Sequence, residues 1–187
     1  MGRVVVTEFI SLDGVVEAPG GEEFRYPNWS FDFDRGEDGE RFKVDEALGA
    51  EALLLGRVTY EGFASAWPQY EGELADKYNG MPKYVVSRTL KDPEWANTSV
   101  LSGDLAGEVA RLRRDVDGEI SVPGSIRLVQ DLLVRDLVDE IRLMWFPVIL
   151  GHGRRLWTDT PDRSDWTLAE TTRYGEDVMV TVHRRRR

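Results

Sequence analysis

Three short stretches set small and basic residues where a strand should end and a helix begin: Gly56-Arg57-Val58-Thr59, Ser87-Arg88 and Gly124-Ser125. A helix start offers unpaired backbone N–H groups and the positive end of its dipole to a phosphate. An arginine beside a hydroxyl adds charge-assisted hydrogen bonds to a phosphate dianion. Three such strand ends in one small chain point to a dinucleotide. The plainer reading of Arg57 and Arg88 is a solvated surface arginine, the usual fate of that residue.

Asp13 stands just past a dense apolar run and before Gly14. It reads as a substrate-orienting carboxylate or proton relay, or as the acid of an Asp-Gly turn. The stretch holding Phe24, Tyr26, Trp29, Phe31, Asp32, Phe33 and Asp34 has two readings as well. Trp29, Phe31 and Phe33 could stack on a heterocyclic substrate whose ring nitrogens pair with an acid, or the aromatics could pin a long loop to the body. Gly151-His152-Gly153-Arg154-Arg155 reads as a glycine-permitted turn, or as a loop whose arginines meet a substrate phosphate.

The totals remove several classes. The 187 residues suit one domain with a full core. The net charge of −10 argues against a general nucleic-acid binder, which needs a basic face. There is no cysteine, hence no disulfide, thiolate nucleophile or cysteine-ligated metal. His152 and His183, without carboxylates at ligand spacing, do not make a metal site. The absence of a long apolar run or a charged-then-apolar leader leads to the expectation of a cytoplasmic protein. Arg184 to Arg187 read as a solvated tail or the end of a last strand.

The elements that must position these residues follow from the hydrophobic pattern. Strands are expected at 4–10, 52–55, 83–87, 119–122 and 140–146, and helices at 42–48, 58–66, 105–114 and 126–135. Residues 166–174 and 178–184 read as a closing antiparallel hairpin across Gly175-Glu176-Asp177. Residues 17–40, rich in glycine, proline, aromatics and acids, read as a long loop of the kind that carries function. Strands alternating with helices before a terminal hairpin give an α/β sheet, mostly parallel with antiparallel edges. Trp145 and Phe146 read as apolar residues of an edge strand exposed to a partner. No Gly-x-Gly-x-x-Gly follows the first strand, so a Rossmann-type site is not expected.

In this order, Ser11-Leu12-Asp13-Gly14, Gly56-Arg57-Val58-Thr59-Tyr60-Glu61, Tyr84-Val85-Val86-Ser87-Arg88 and the Gly124-Ser125 turn resemble the dihydrofolate-reductase-like fold. The run from Leu137 to Leu143, then Pro147 to Trp157, resembles more closely the reductase domain of the bifunctional riboflavin-biosynthesis deaminase-reductase. The resemblance covers roughly residues 3–183. It implies an NADPH-dependent reductase, related to 5-amino-6-(5-phosphoribosylamino)uracil reductase, acting on a small pterin- or pyrimidine-like ring, and it implies a homodimer.

Carried onto this chain, Gly56, Arg57 and Thr59 match the motif at the cofactor phosphates, and Ser87 and Arg88 that beside the adenosine 2′-phosphate. Gly124, Ser125 and Ile126 match the turn at the pyrophosphate and nicotinamide, and Asp13 is the catalytic candidate. The family turn usually carries a third glycine where this chain has Ile126, whose β-branched side chain would either block the cofactor or point into the core. No His-x-Glu with paired cysteines occurs, so the deaminase half is missing. The alternative to a reductase is a non-catalytic nucleotide-binding or sensory module on the same scaffold.

Overall fold

The computed structural model describes residues 1–21, 23–158 and 162–186. Val4, Val5, Val6 and Ile10 give the first strand apolar bulk on both faces, and such a strand needs neighbours on both edges. Accordingly β1 (Arg3–Ser11) runs between β5 (Glu119–Pro123) and β6 (Glu140–Phe146), parallel to both. Beyond β5 lie β2 (Ala50–Gly56), β3 (Lys83–Val86) and β4 (Thr98–Leu101), again parallel. On the other side β8 (Val178–Arg185) pairs antiparallel with β6, and β7 (Trp166–Tyr174) antiparallel with β8. The eight-stranded order is β4-β3-β2-β5-β1-β6-β8-β7, the expected mostly parallel sheet with an antiparallel C-terminal hairpin.

Helices α4 (Leu105–Asp115) and α5 (Ile126–Val134) cover one face, where Leu112, Val129 and Leu132 pack on Val4, Val6, Leu54 and Ile120. The other face carries α1 (Gly36–Leu48), α2 (Arg57–Ala66) and α3 (Glu73–Gly80) over two further clusters. One cluster centres on Leu53, Leu55, Tyr78 and Trp95, the other on Met144, Phe146, Val180 and Trp29. The six parallel strands, β1 to β6, deliver their carboxyl ends to one rim of the sheet, where open α/β sheets bind ligands.

Several expectations change. The helix expected from residue 42 starts at Gly36, inside the segment read as loop, and residues 29–32 form a 3₁₀ turn. Its opening Gly-Glu-Asp-Gly has no apolar residue to announce a helical period. The short α3 and β4 gave no sequence signal: α3 buries only Ala75 and Tyr78, and β4 is a four-residue edge strand. β6 is not an edge strand, because β8 pairs with it. Phe146 is fully buried, and the Trp145 indole N–H donates to Thr181 Oγ1 at 3.0 Å. Arg184 and Arg185 are no free tail. They end β8, Arg184 donating to Glu140 and Glu170 and Arg185 pairing with Asp136, while Arg187 lies outside the described residues.

Two buried charge arrangements hold the α1 face. Lys83, with no exposed surface, donates to the carbonyls of Tyr78, Asn79 and Met81 at 2.7–3.0 Å, and its ammonium lies 4.4 Å from the Trp95 ring centroid. Burial pushes this ammonium down to about 8, while the three carbonyls and the ring face favour its charge. It closes the C-terminus of α3 and stands apart from the carboxyl rim. The second arrangement centres on Arg142, whose guanidinium reaches Glu119 at 2.7 Å, Glu140 at 2.8 Å and Glu46 at 3.5 Å. Burial pushes the Glu119 carboxyl up despite Arg142. Burial acts on Glu140 too, but hydrogen bonds from Arg184 and Arg142 outweigh it and hold that carboxyl below its usual range.

Removing one member of a buried ion cluster leaves the others uncompensated. Arg142→Met should therefore destabilise the fold by about 3–5 kcal/mol at pH 7 in urea melts. Without Arg142 the folded-state pKa values of Glu119 and Glu140 rise, because both lose a cation that lowers them, so the folded chain binds protons more readily than the unfolded one. The gap to wild type should narrow as pH falls from about 7 to about 5; a constant gap would show that Arg142 acts by packing alone.

Candidate functional site

The rim is built where α2 and α5 begin. Gly124 and Ser125 both hold left-handed backbone, at φ 79° and 72°, turning the chain sharply from β5 into α5. Glycine adopts this readily and serine does not, so Ser125 needs an outside anchor. Its hydroxyl provides one, accepting the Gly56 N–H at 2.7 Å instead of capping its own helix. A β-carbon on Gly56 would stand 3.3 Å from Ser125 Cβ, and one on Gly124 would stand 3.9 Å from Thr59. The starts of α2 and α5 therefore meet, and neither first turn carries a side-chain cap. Two uncapped N-termini side by side give converging N–H groups and dipole ends.

Gly56, Thr59, Gly124 and Ser125 are thus brought together. Ile126 is 8% exposed and packs in the core beneath α5, so its side chain does not stand over the turn. Arg57 starts α2 but donates to Glu61 at 2.8 Å on the exposed surface. Gly56 pairs with Val86, which sets Ser87 and Arg88 at the same rim beside α2. Ser87 Oγ accepts from the Leu90 and Thr89 amides at 2.9 and 3.2 Å, turning the chain after β3, and Arg88 is exposed.

Asp13 sits at the rim beyond β1 as a clamp. Its carboxylate accepts from Ser11 Oγ at 2.7 Å, from the Leu150 and Gly151 amides at 3.1 and 2.9 Å, and from Arg155 at 3.4 Å. Partial burial pushes this carboxyl up, but the Ser11, Leu150 and Gly151 hydrogen bonds outweigh it and hold it ionised below the ordinary range. Glu17 does the same for Arg154, accepting its amide at 2.7 Å and its guanidinium at 2.8 Å, and is likewise held low. Backbone bonds from Leu12 to Val148, Val16 to Arg154 and Leu156 to Gly14 complete the join between segments 12–17 and 148–156. Arg154 and Arg155 are engaged in this join.

The aromatic loop divides. Trp29 is 2% exposed, donates its indole N–H to the Glu17 carbonyl and packs edge-on to Phe146 at 5.5 Å; it belongs to the core and offers no stacking face. Phe33 packs on Phe146 at 6.0 Å, and Phe24 stacks on His152 at 5.9 Å. Phe31, at 67%, is exposed, and with Phe33, Arg35 and Glu40 it lines a small polar cavity. Pinning is therefore the role of most of these rings.

Sequence reading missed the cluster on the other side of the turn. Thr7 pairs in register with Pro123, and its carbonyl accepts the Gly124 N–H at 3.3 Å. Its hydroxyl accepts from Lys43 Nζ at 2.9 Å and donates to Glu46 at 2.9 Å. Only the i,i+3 spacing of Lys43 and Glu46 on one helix hinted at this pair. Among the described residues no group of three or more acids and histidines is placed to hold a metal, and no helix is long and apolar enough to cross a membrane.

A parallel-sheet α/β domain with two helix starts converging at its carboxyl rim is the class that fold and rim define. The chain belongs to the RibD C-terminal domain family, whose model matches residues 3–180. That family is associated with reductase activity in riboflavin biosynthesis. The chain is similar to "Uncharacterized protein YyaP" of Bacillus subtilis, 27% identical over 97% of this chain and 94% of that one. It is also similar to "Uncharacterized protein YwjB" of the same organism, 25% identical over 95% of each. The crystal structure of a "Putative riboflavin biosynthesis protein" from Shewanella sp. PV-4 shares the fold, with a TM-score of 0.81, 20% identity and 99% of each chain covered.

Asp13→Ala should free the 148–151 segment, raising hydrogen exchange at the Leu150 and Gly151 amides about tenfold or more, since bonds to charged acceptors contribute about 1.5–3 kcal/mol. The folded pKa of Asp13 is lowered, so its contribution is complete above the ordinary value of 3.8 and is lost as pH falls through the depressed one. Unchanged exchange in the variant would show that the backbone ladder alone holds the join.

Proposed function

We propose that this chain is an NADPH-dependent reductase that delivers hydride to a small pterin- or pyrimidine-like ring. The observation that carries the reading is the meeting of the uncapped α2 and α5 starts at the bond between Gly56 and Ser125. The turn fits a pyrophosphate, because Gly124 has no β-carbon and Ile126 is buried away from it, which leaves backbone N–H groups to approach the oxygens. Ser87 and the exposed Arg88 lie at the same rim one strand further out, the place for an adenosine 2′-phosphate. NADPH when bound would supply the hydride, and the chain would align donor with acceptor and exclude water. The family's association with reductase activity supports the same reading. A second copy is part of the proposal: Leu168 on β7 and Met179 on β8, 57% and 39% exposed, give the outer strands apolar surface for it.

Titration of the protein with NADPH and with NADH, followed by tryptophan fluorescence, should show binding that favours NADPH at least tenfold. Arg88→Ala should erase most of that preference while leaving NADH binding unchanged. Ser125→Ala should weaken both cofactors by releasing the Gly56 N–H. Binding without oxidation against pterins, pyrimidines and quinones would favour the non-catalytic binding module. No binding of either nucleotide would remove the reductase reading.

A further inference from the structure

We propose that Lys43 on α1 is the proton donor to the nitrogen of the acceptor's C=N bond, an inference that rests on the reductase reading above. A hydride transfer to a C=N bond needs a proton at nitrogen, and Asp13 is a poor source: its carboxylate is ionised and accepts four hydrogen bonds. Thr7 joins the two halves of the rim, its carbonyl bonded to the Gly124 turn and its hydroxyl to Lys43. The cation is thereby tied to the residue that borders the turn.

Lys43 has the form of a donor. An ammonium carries three N–H groups; Thr7 Oγ1 and Glu46 take two, and the third is left for a ligand. The lysine side chain is 17% exposed and that of Glu46 4%, so the cation is the open end of the pair and the carboxylate the buried end. The other oxygen of Glu46 lies 3.5 Å from the Arg142 guanidinium, so the carboxylate keeps a counter-cation when the lysine proton leaves. Half-buried Phe9, two residues nearer the rim than Thr7, has its ring centroid 5.2 Å from Nζ and 5.1 Å from the Arg35 guanidinium. The two cations cover the Phe9 ring, so an acceptor that reaches the third N–H of Lys43 does so beside Phe9.

The step balances. The acceptor C=N bond is a ring bond in dihydrofolate and, in the phosphoribosylamino compound, the imine formed when the ribose opens. Its electrophilic carbon gains a hydride from NADPH, and the π electron pair moves to nitrogen. That nitrogen forms its N–H bond with a proton from Nζ. The acceptor is reduced by two electrons and NADPH oxidised to NADP⁺. Lys43 is left as an amine hydrogen-bonded to Thr7 and Glu46, and water returns its proton.

The test compares wild type, Lys43→Met, Lys43→Arg and Thr7→Val, with dihydrofolate and 5-amino-6-(5-phosphoribosylamino)uracil as acceptors. Lys43→Met should bind NADPH within about twofold of wild type by fluorescence, yet lose about 10²–10⁴-fold in hydride transfer, the usual span for a general acid. Lys43→Arg should recover only part of the rate, because a guanidinium keeps the cation but gives up its proton far less readily than an ammonium. In the unmutated protein, the acceptor that turns over should protect Lys43 from reductive methylation, read by mass spectrometry without cofactor.

If Lys43→Met does not fold, Thr7→Val serves in its place: hydride transfer should fall about tenfold or more while NADPH binding stays within about twofold, because the ammonium loses the hydroxyl that aims it. Wild type that binds no NADPH would overturn the reductase reading. Wild type that binds NADPH but reduces neither acceptor would overturn catalysis, and this proposal with it. Turnover by Lys43→Met at the wild-type rate, an unchanged rate in Thr7→Val, or no protection of Lys43 would overturn the assignment of Lys43 alone.

Discussion

Ser125 occupies a backbone conformation that a β-carbon resists, and its hydroxyl accepts the amide of Gly56 from the neighbouring strand-to-helix turn. That bond ties the ends of β2 and β5 together and sets the starts of α2 and α5 side by side. A serine in this conformation costs roughly 1–3 kcal/mol unless its surroundings hold it there. Here the surroundings do so by using the one side-chain atom that would otherwise cap α5. The helix start is left uncapped as a direct consequence, and the rim gains its anion-binding character from the contact that creates the turn.

A second constraint comes from charge beneath α1. The strands β1, β5 and β6 carry Arg3, Glu119, Glu140 and Arg142 on the face turned to that helix, where most sheets bury aliphatic side chains. Buried ions are tolerated when each finds a partner, and breaking one pairing is far more costly than the pair is stabilising. The arrangement fixes where α1 lies, because Glu46 and Lys43 must reach Thr7 and Arg142. It therefore places the half-buried lysine against β1 rather than out in solvent. The clamp of Asp13 and Glu17 on the 148–156 segment performs the corresponding task on the far side of the rim, with both carboxylates held ionised.

Much of the architecture was legible in the pattern of residues. Val4 to Ile10 is dense in β-branched residues and Glu140 to Phe146 is stopped by Pro147, so both read as strands. Ala52 to Leu55 suits helix or strand by period, and Gly56 at its end decides for strand, while α5 shows its apolar face at Ile126, Val129 and Leu132. The paired small residues at Gly56 and Gly124-Ser125 marked the turns that now meet. The start of α1, the short α3 and the edge strand β4 were not legible, because their local patterns are weak and packing against neighbours decides them. Trp29, Arg154 and Arg155 illustrate the same limit at side-chain level: type and position allowed a ligand role, yet Trp29 is buried and the two arginines pair with Glu17 and Asp13.

By itself the sequence determined the alternation of strands and helices, the absence of cysteine chemistry and the presence of phosphate-compatible turns at strand ends. These follow from periodicity, composition and local backbone preference, which act over a few residues at a time. Tertiary structure alone decided that Ile126 faces the core, that Asp13 is an engaged carboxylate, and that Lys43 stands beside Thr7 and the Gly124 turn. Those outcomes depend on which groups meet across 36 residues or more of chain, as Thr7 and Lys43 do. No local rule contains that information, because the energies that select such contacts exist only once the sheet has formed.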